Sequence, residues 1–185
     1  VMKIYQDFID NLLYERNQNN EFRFVAEQLL EMHEEALSRN NPIIVELGVD
    51  KGHSTRVFLN SIDGKTEATL ISVDIRDCSG AVECDNWNFL QADSADWNTI
   101  LNSFPIIKSG IDILYVDSLH TPQHVMREVY GFFPLVKKDG VIYFDDIDSS
   151  PYKNGQRKDS ILIENANREI LKLLDAIFQA NLNDL

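Results

Sequence analysis

The segment from residue 111 to residue 148 constrains the fold more than any other part of this chain. It contains two apolar runs, Ile111–Val116 and 141–144, joined by a segment of helical periodicity and a predicted turn at residues 139–140. This order predicts two parallel strands of one sheet with a crossover helix between them. The carboxyl ends of parallel strands share one sheet edge, where ligands of open α/β sheets bind. We therefore expect the polar residues that follow the two runs to lie together: Asp117, His120, Asp145 and Asp146.

The rest of the chain continues the alternation of strand and helix. Apolar runs at residues 43–45, 69–73 and 87–90 predict three further strands, each followed by a segment with helical spacing. We therefore predict an α/β fold, a Rossmann-like doubly wound parallel sheet with about five strands and helices on both faces. Residues 1–40 predict an N-terminal helical segment with a polar break at 17–20, followed by the main domain at 41–185. A chain of 185 residues is expected to form one domain overall.

Charge and composition exclude several classes of function. The net charge of −13 argues against sequence-independent binding to nucleic acid or to anionic membranes, because both need basic surface. No apolar run approaches the roughly 20 residues that span a bilayer, and no basic and apolar leader is visible. We therefore expect a cytoplasmic protein. Cys78 and Cys84 leave a loop disulfide and two free thiols open, with reduced thiols as the default in that compartment.

A glycine-containing loop follows the first predicted strand and reads Glu46-Leu-Gly48-Val-Asp-Lys-Gly52-His-Ser54-Thr55. Gly48 allows a sharp turn beside a ligand, and Gly52 allows close packing where the next helix begins. Ser54 or Thr55 is the predicted N-cap of that helix. The loop lacks the G-x-G-x-x-G fingerprint of dinucleotide-binding proteins. The carboxylate before it would repel a pyrophosphate but suits a cationic ligand such as S-adenosylmethionine, which carries a sulfonium and no phosphate.

Asp74 ends the second predicted strand, at the distance from this loop at which a βαβ unit places an acid for ribose hydroxyls. The loop and Asp74 together resemble motif I and the ribose-binding acid of class I S-adenosylmethionine-dependent methyltransferases. Asp93 and Ser94 stand where these enzymes commonly contact adenine. The resemblance implies that the following residues bind the cofactor: Glu46, Gly48, Gly52, Ser54, Asp74, Asp93, Ser94 and Asp117.

Within that superfamily, the chain resembles the metal-dependent sugar O-methyltransferases, the macrocin and mycinamicin O-methyltransferase relatives, which are akin to the cephalosporin-hydroxylase-like group. The resemblance covers roughly residues 40–148, and its later part rests on Asp117, His120, His124, residues 133–136, Gly140 and residues 145–146. It implies Mg²⁺ bound by Asp117, Asp145 and Asp146, and His120 as the catalytic base beside Asp117. Position 145 departs from the relatives, which usually have glutamate there. For His124 we expect a structural role or a contact with substrate or with another site residue.

The implied reaction is transfer of a methyl group from S-adenosylmethionine to a hydroxyl of a small polyhydroxylated molecule, a sugar or a natural product. Mg²⁺ takes oxygen ligands and lowers the pKa of a bound hydroxyl, and a histidine that titrates near neutrality accepts its proton. A non-catalytic module that binds S-adenosylmethionine or a partner on the same fold is the alternative. An NAD-dependent oxidoreductase ranks third, because the dinucleotide fingerprint is absent.

The end of the chain departs from the family pattern. The usual fold adds two antiparallel strands after the last helix, and nothing after Ala180 supplies them, so we expect these strands to be missing. The polar segment 149–158 is expected to be a solvated loop or a substrate lid beside the metal site. The sequence is compatible with a homo-oligomer, and it does not name the methyl acceptor.

Overall fold

The computed structural model describes residues 3–147 and 161–182, and a sheet of five parallel strands forms its centre. The strands are β1 (Ile43–Leu47), β2 (Thr69–Asp74), β3 (Asn88–Gln91), β4 (Ile111–Val116) and β5 (Val136–Phe144). Their order across the sheet is β3-β2-β1-β4-β5, and each adjacent pair is parallel. The order reverses between β1 and β4, which is the point where ligands bind in such sheets. The predicted doubly wound parallel sheet is confirmed.

Helices cover both faces of the sheet. They are α1 (Gln6–Arg16), α2 (Phe22–Ser38), α3 (His53–Ile62), α4 (Trp97–Ser103), α5 (Pro122–Phe132) and α6 (Ile161–Leu182). Short 3-10 turns span Pro105–Ser109 and Phe133–Leu135. The helical periodicity of residues 1–40 thus corresponds to α1 and α2, whereas the domain boundary at residues 40 and 41 stays a prediction.

Alternate residues of each strand point to opposite faces and form two cores. On one face, Ile44 and Ile113 are buried with apolar residues of α1, α2 and α3. On the other face, Val45 and Leu114 are buried with residues of α4 and with Phe132 of α5. A smaller apolar cluster joins α6 to α5. All of these contacts leave the carboxyl ends of the strands available for a site.

β5 is longer than the sequence predicts. The turn predicted at residues 139–140 is absent, and the strand runs from Val136 to Phe144 beside β4, with a register irregularity between Ile111 and Ile113. Its first half is exposed and polar (residues 137–139), which resembles a loop in the sequence. Charged residues are common on edge strands because they oppose pairing with other chains. The Asp-Gly turn signal was therefore misleading at this position.

The start of α3 also differs from the prediction. Its N-cap is Gly52, with φ of +73°, so the assignment of Ser54 or Thr55 as the N-cap is wrong. A Cβ added at Gly52 would lie 3.0 Å from Val82 Cγ1, so this position needs both a left-handed backbone and close packing. The two hydroxyl side chains point into the protein instead.

Several other expectations can be compared with the described residues. Cys78 and Cys84 are free thiols there. Between residues 3 and 147 and between 161 and 182, the sheet contains five strands and no antiparallel pair. The segment 149–158, considered as a lid, lies outside the described residues. No helix in the described parts of the chain has the length and apolar character needed to cross a bilayer.

Candidate active site

The ends of β1, β2 and β4 meet at the loop that follows β1. The Gly48 N–H donates to the carbonyl of Val73 at 2.8 Å, and the Asp117 N–H donates to the carbonyl of Leu47 at 2.8 Å. Gly48 has φ of +101°, and a Cβ at this residue would overlap the backbone carbonyl of Asp117. Only glycine permits this approach, so Gly48 helps to position Asp117.

Asp74 holds the same loop from the end of β2. Its Oδ2 accepts from the backbone N–H groups of Val49 at 2.9 Å and Asp50 at 3.2 Å, and its Oδ1 accepts from the N–H of Arg76 at 2.9 Å. Burial alone would raise the pKa of Asp74, but these donors and the Arg76 guanidinium outweigh it and hold the pKa below its usual value. The ionised carboxylate keeps the loop in place and is suited to ribose hydroxyls.

Glu46 lies beneath this loop and outside the wall of the cleft described next. It is fully buried and accepts hydrogen bonds from Ser54 Oγ at 2.5 Å, Thr55 Oγ1 at 2.9 Å and Ser72 Oγ at 2.5 Å. Burial raises the pKa of Glu46 to about 7, although the three hydroxyl groups oppose the rise. Its carboxylate therefore links β1 and β2 to α3. Direct contact of Glu46 with a cofactor stays a prediction.

A cleft of about 540 Å³ opens at the carboxyl ends of β1, β2 and β4. The glycine loop forms one wall, and the segments after β3 and β4 form the other, with the exposed apolar side chains of Ile75 and Leu119 beside it. Five of the predicted cofactor residues line this cleft: Gly48, Asp74, Asp93, Ser94 and Asp117. The structure thus brings together residues from the ends of four strands.

Four polar side chains form a cluster at one side of the cleft, in which Ser94 and Glu128 are buried and Ser118 and His124 are half-buried. Oε1 of Glu128, a residue that is 1% exposed, accepts from Ser94 Oγ at 2.6 Å and from Ser118 Oγ at 2.5 Å. His124 Nε2 lies 3.2 Å from the same oxygen and 2.9 Å from Ser94 Oγ. Glu128 was not predicted as a site residue. Its only signal in the sequence is its position four residues after His124, which places both side chains on one helix face.

Two carboxylates meet at a tyrosine hydroxyl at the ends of β4 and β5. The Tyr115 hydroxyl lies 3.0 Å from Asp117 Oδ2 and 3.2 Å from Asp145 Oδ2, but its single proton can serve only one of them at a time. Burial, followed by the charges of Asp117 and Asp146, raises the pKa of Asp145. Tyr115 was not predicted either, because it occupies an ordinary buried strand position in the sequence.

His120 lies between two of the predicted metal ligands. Its Nε2 is 3.1 Å from Asp117 Oδ1, and its Nδ1 is 3.2 Å from Asp146 Oδ2. Hydrogen bonds to Asp117 and then to Asp146 raise the pKa of His120 to about 10, although burial opposes the rise. In this arrangement the pKa lies above the near-neutral value that the sequence analysis expects, and the role of His120 as the base stays a prediction.

The structure brings Asp117, His120, Asp145 and Asp146 to one place, as the strand ends predict. Within the described residues, no three His, Cys, Asp or Glu side chains are arranged so that they could hold a metal ion. His120 occupies a position between two of the carboxylates instead. Metal binding therefore stays a proposal, and it rests on the chemistry of the donor set.

A smaller cavity of about 120 Å³ lies next to the cleft, between α2 and the ends of β4 and β5. Gln28 of α2 reaches into this region and donates to Asp145 Oδ1 at 3.3 Å. Ser54, a predicted cofactor residue, lines this cavity and not the larger cleft. Three residues border both spaces: Val49, Asp50 and Asp117. Asp117 therefore stands at the wall that the two cavities share.

The strand order, the glycine loop and the cleft at the β1–β4 switch point define the Rossmann-like fold of S-adenosylmethionine-dependent methyltransferases. Residues 45–147 match the protein family described as "Methyltransferase domain". The chain belongs to this methyltransferase family, which supports an enzyme over a non-catalytic module or an oxidoreductase. No curated protein gives a significant match to the sequence.

Several solved structures with a similar fold are methyltransferases, at low sequence identity. MycE from the mycinamycin biosynthetic pathway, in complex with Mg and SAH, is 21% identical with a TM-score of 0.56, and the match covers 82% of this chain and 42% of MycE. The chain thus spans about two fifths of the length of MycE. SAH-bound PaMTH1 from Podospora anserina is 14% identical with a TM-score of 0.63, over 96% of this chain and 80% of PaMTH1. CalS11, a TDP-rhamnose 3'-O-methyltransferase of calicheamicin biosynthesis, is 16% identical with a TM-score of 0.53, over 79% of this chain and 80% of CalS11.

Proposed function

We propose that this methyltransferase acts on a hydroxyl oxygen of a small polyhydroxylated molecule, a sugar or a natural product. The placement of Asp117 at the wall between two cavities carries this proposal. A methyl donor in the larger cleft and an acceptor in the smaller cavity would meet at this wall, as transfer requires. The names of two structural relatives support a sugar or natural-product acceptor: CalS11 acts on TDP-rhamnose, and MycE was solved with mycinamycin VI.

The cofactor contacts that we propose follow from the positions of the predicted residues. Gly48, Asp74, Asp93, Ser94 and Asp117 line the cleft and would contact S-adenosylmethionine directly. The remaining three predicted residues, Glu46, Gly52 and Ser54, would act by holding the loop and the start of α3 in place.

Mg²⁺ is the cation that the donor set fits. Asp117, Asp145 and Asp146 supply the carboxylate oxygens that this ion prefers. Burial raises the pKa of Asp145, and the neighbouring charges of Asp117 and Asp146 add to the rise. We propose that these three residues hold the ion. When bound, it would orient an acceptor hydroxyl and lower its pKa.

The side chains around this wall would then carry out methyl transfer. The acceptor oxygen forms a bond to the methyl carbon while the C–S bond of the sulfonium breaks, and S-adenosylhomocysteine leaves with the electron pair. His120 would be neutral before it accepts the hydroxyl proton. Its role as the base therefore requires that its hydrogen bonds to Asp117 and Asp146, which favour the protonated ring, are broken. Gln28 and the apolar Val25 and Leu29 of α2 would border the acceptor.

The first experiment combines binding with a search for the acceptor. Isothermal titration calorimetry should show that S-adenosylhomocysteine binds and NAD does not. Labelled S-adenosylmethionine should then transfer its methyl group to a nucleotide sugar or a glycosylated natural product in a panel that includes simple catechols. Transfer to the catechols alone would refute the proposed acceptor class while leaving the methyltransferase assignment intact. Light scattering of the same sample would test whether the protein is a homo-oligomer.

The second experiment tests the metal and the base. We expect EDTA to abolish transfer and Mg²⁺ to restore it, and Asp145→Asn to weaken Mg²⁺ binding by at least about tenfold. Asp139→Asn, the same change on the exposed part of β5, is the control. His120→Gln should lower turnover by about 100-fold or more without changing the affinity for S-adenosylhomocysteine. Full activity in EDTA would exclude the metal, and undiminished turnover of His120→Gln would exclude the base.

A further inference from the structure

The cluster of Ser94, Ser118, His124 and Glu128 lies beside the cleft, and Ser94 is its one member with a role in the proposal above, as a cofactor contact. Three of its members line the cofactor cleft, and they come from three different places: after β3, after β4 and from α5. The fourth, Glu128, is the group to which the other three are bound. This arrangement joins three segments of the chain beside the cleft through one carboxylate oxygen.

We propose that Glu128 is a positioning residue for cofactor recognition: it holds the His124 ring so that Nδ1 donates a hydrogen bond to an acceptor nitrogen of the adenine of S-adenosylmethionine. The inference rests on the proposal that the larger cleft binds this cofactor. Beyond that proposal, His124 becomes a contact of the adenine, and its position depends on the buried Glu128, which does not line the cleft.

The number of available protons determines the direction of the hydrogen bonds. The hydroxyls of Ser94 and Ser118 have one proton each, and both point to Oε1 of Glu128. Ser94 Oγ can then only accept from His124, so the proton of that contact belongs to Nε2. Nε2 therefore faces the cluster as a donor, and the protonation of Nδ1 decides what the ring offers to a ligand.

The charges around His124 favour a proton on both ring nitrogens. Glu128 Oε1 lies 3.2 Å from Nε2, Asp93 Oδ1 on the segment after β3 lies 4.0 Å away, and Arg127 is next to Glu128 on α5. The hydrogen bond to Glu128 raises the pKa of His124; burial opposes the rise, Asp93 adds to it and Arg127 reduces it. Nδ1 makes no hydrogen bond to the described residues, so it is available as a donor.

Two further observations support a role in binding. Oε2 of Glu128 is buried without a hydrogen-bond partner in the described structure. An unpaired buried oxygen lowers stability, and an apolar side chain of similar size would fill the same space without this cost. In addition, Ile75 and Leu119 provide apolar surface for a flat ring beside the cleft, and the cluster provides polar groups for the edge of that ring. The purine base therefore fits this end, and the cationic end of the cofactor fits the end near Asp117.

The test measures the affinity for S-adenosylhomocysteine by calorimetry between about pH 6 and pH 9, where histidines with raised pKa values titrate. We expect the wild-type affinity to fall by about tenfold as the pH rises, because Nδ1 loses its proton. Glu128→Gln should move this fall to lower pH, and His124→Gln should remove it. Glu34→Gln, the same change at an exposed position of α2, should behave as the wild type. Adenosine, which lacks the amino acid, should show the same pH dependence.

Each outcome has a distinct meaning. If S-adenosylhomocysteine does not bind the wild type, the proposed cofactor site is wrong. If it binds with the same pH profile in His124→Gln as in the wild type, or if adenosine binding is independent of pH, only the present inference is overturned. An unchanged midpoint in a folded Glu128→Gln variant would overturn the role of Glu128. If that variant does not fold, as judged by circular dichroism, the His124→Gln profile decides.

Discussion

Replacing Gly48 with alanine tests the packing on which the site depends. The ends of β1 and β4 approach each other at this residue, where φ is +101° and an added Cβ would overlap the carbonyl oxygen of Asp117. The overlap is with backbone, so no side-chain rotation can relieve it. The loop that carries Asp117 must move, and the cleft and the wall that it shares with the smaller cavity change with it.

The expected loss of stability in Gly48→Ala is the sum of two contributions to the free energy of unfolding. Alanine at a positive φ costs about 1–2 kcal/mol, and forcing extra atoms into a packed region costs about 1–3 kcal/mol more. Gly64 separates the two contributions, because its φ is +84° but no atom lies within 4 Å of an added Cβ. We therefore expect a loss of about 2–5 kcal/mol for Gly48→Ala and about 1–2 kcal/mol for Gly64→Ala. An ordinary domain has about 5–15 kcal/mol in total, so Gly64→Ala should fold, and Gly48→Ala should fold if the wild type is above the lower end of this range.

Urea denaturation followed by circular dichroism would measure both variants, and calorimetry would measure their affinity for S-adenosylhomocysteine. Gly48→Ala should lose more stability than Gly64→Ala and should alone lose affinity for the ligand. If the two variants are equally destabilised and bind equally well, the close approach of β1 and β4 does not require glycine. The account of how Asp117 is positioned would then be refuted.

Two further changes test the buried carboxylates through stability. Glu46 has a folded pKa of about 7 against an ordinary value of 4.5, so the folded protein holds this proton more tightly than the unfolded chain. The contribution of the Glu46 proton to the free energy of unfolding is fully present below the unfolded pKa of 4.5 and is lost as the pH rises through the folded pKa of about 7. Between about pH 4 and pH 8 the wild type should therefore lose about 3 kcal/mol more than Glu46→Gln in urea unfolding, and a constant difference would contradict the raised pKa. Asp112→Ala should cost about 2 kcal/mol, because Asp112 accepts from the Ile43 N–H at 2.8 Å and from Lys137 Nζ at 2.8 and 2.9 Å. Asp139→Ala, at an exposed position, should change the stability by less than about 0.5 kcal/mol. Equal losses in Asp112→Ala and Asp139→Ala would count against the hydrogen bonds assigned to Asp112.

The strands and the glycine loop are predictable from the sequence because their signals are local. A run of buried β-branched residues indicates a strand, and the order of strands and helices indicates a parallel sheet. The same reasoning places Asp74, Asp117 and Asp145 at one sheet edge, since Asp74 ends a strand and the other two each follow one directly. It fails at residues 137–140, where an exposed edge strand and a turn have the same polar composition.

The sequence by itself determined the class of fold, the family and the edge of the sheet where the site lies. The tertiary structure alone decided the state and the partners of the site residues, because burial and neighbouring charge come from elements far apart in the chain. Glu46 is a ligand candidate in the sequence and a buried acceptor of three hydroxyls in the fold. His120 is an ordinary histidine in the sequence, but two carboxylates from different strand ends raise its pKa to about 10. Glu128 becomes visible as part of the site only when α5 packs beside the segments that follow β3 and β4.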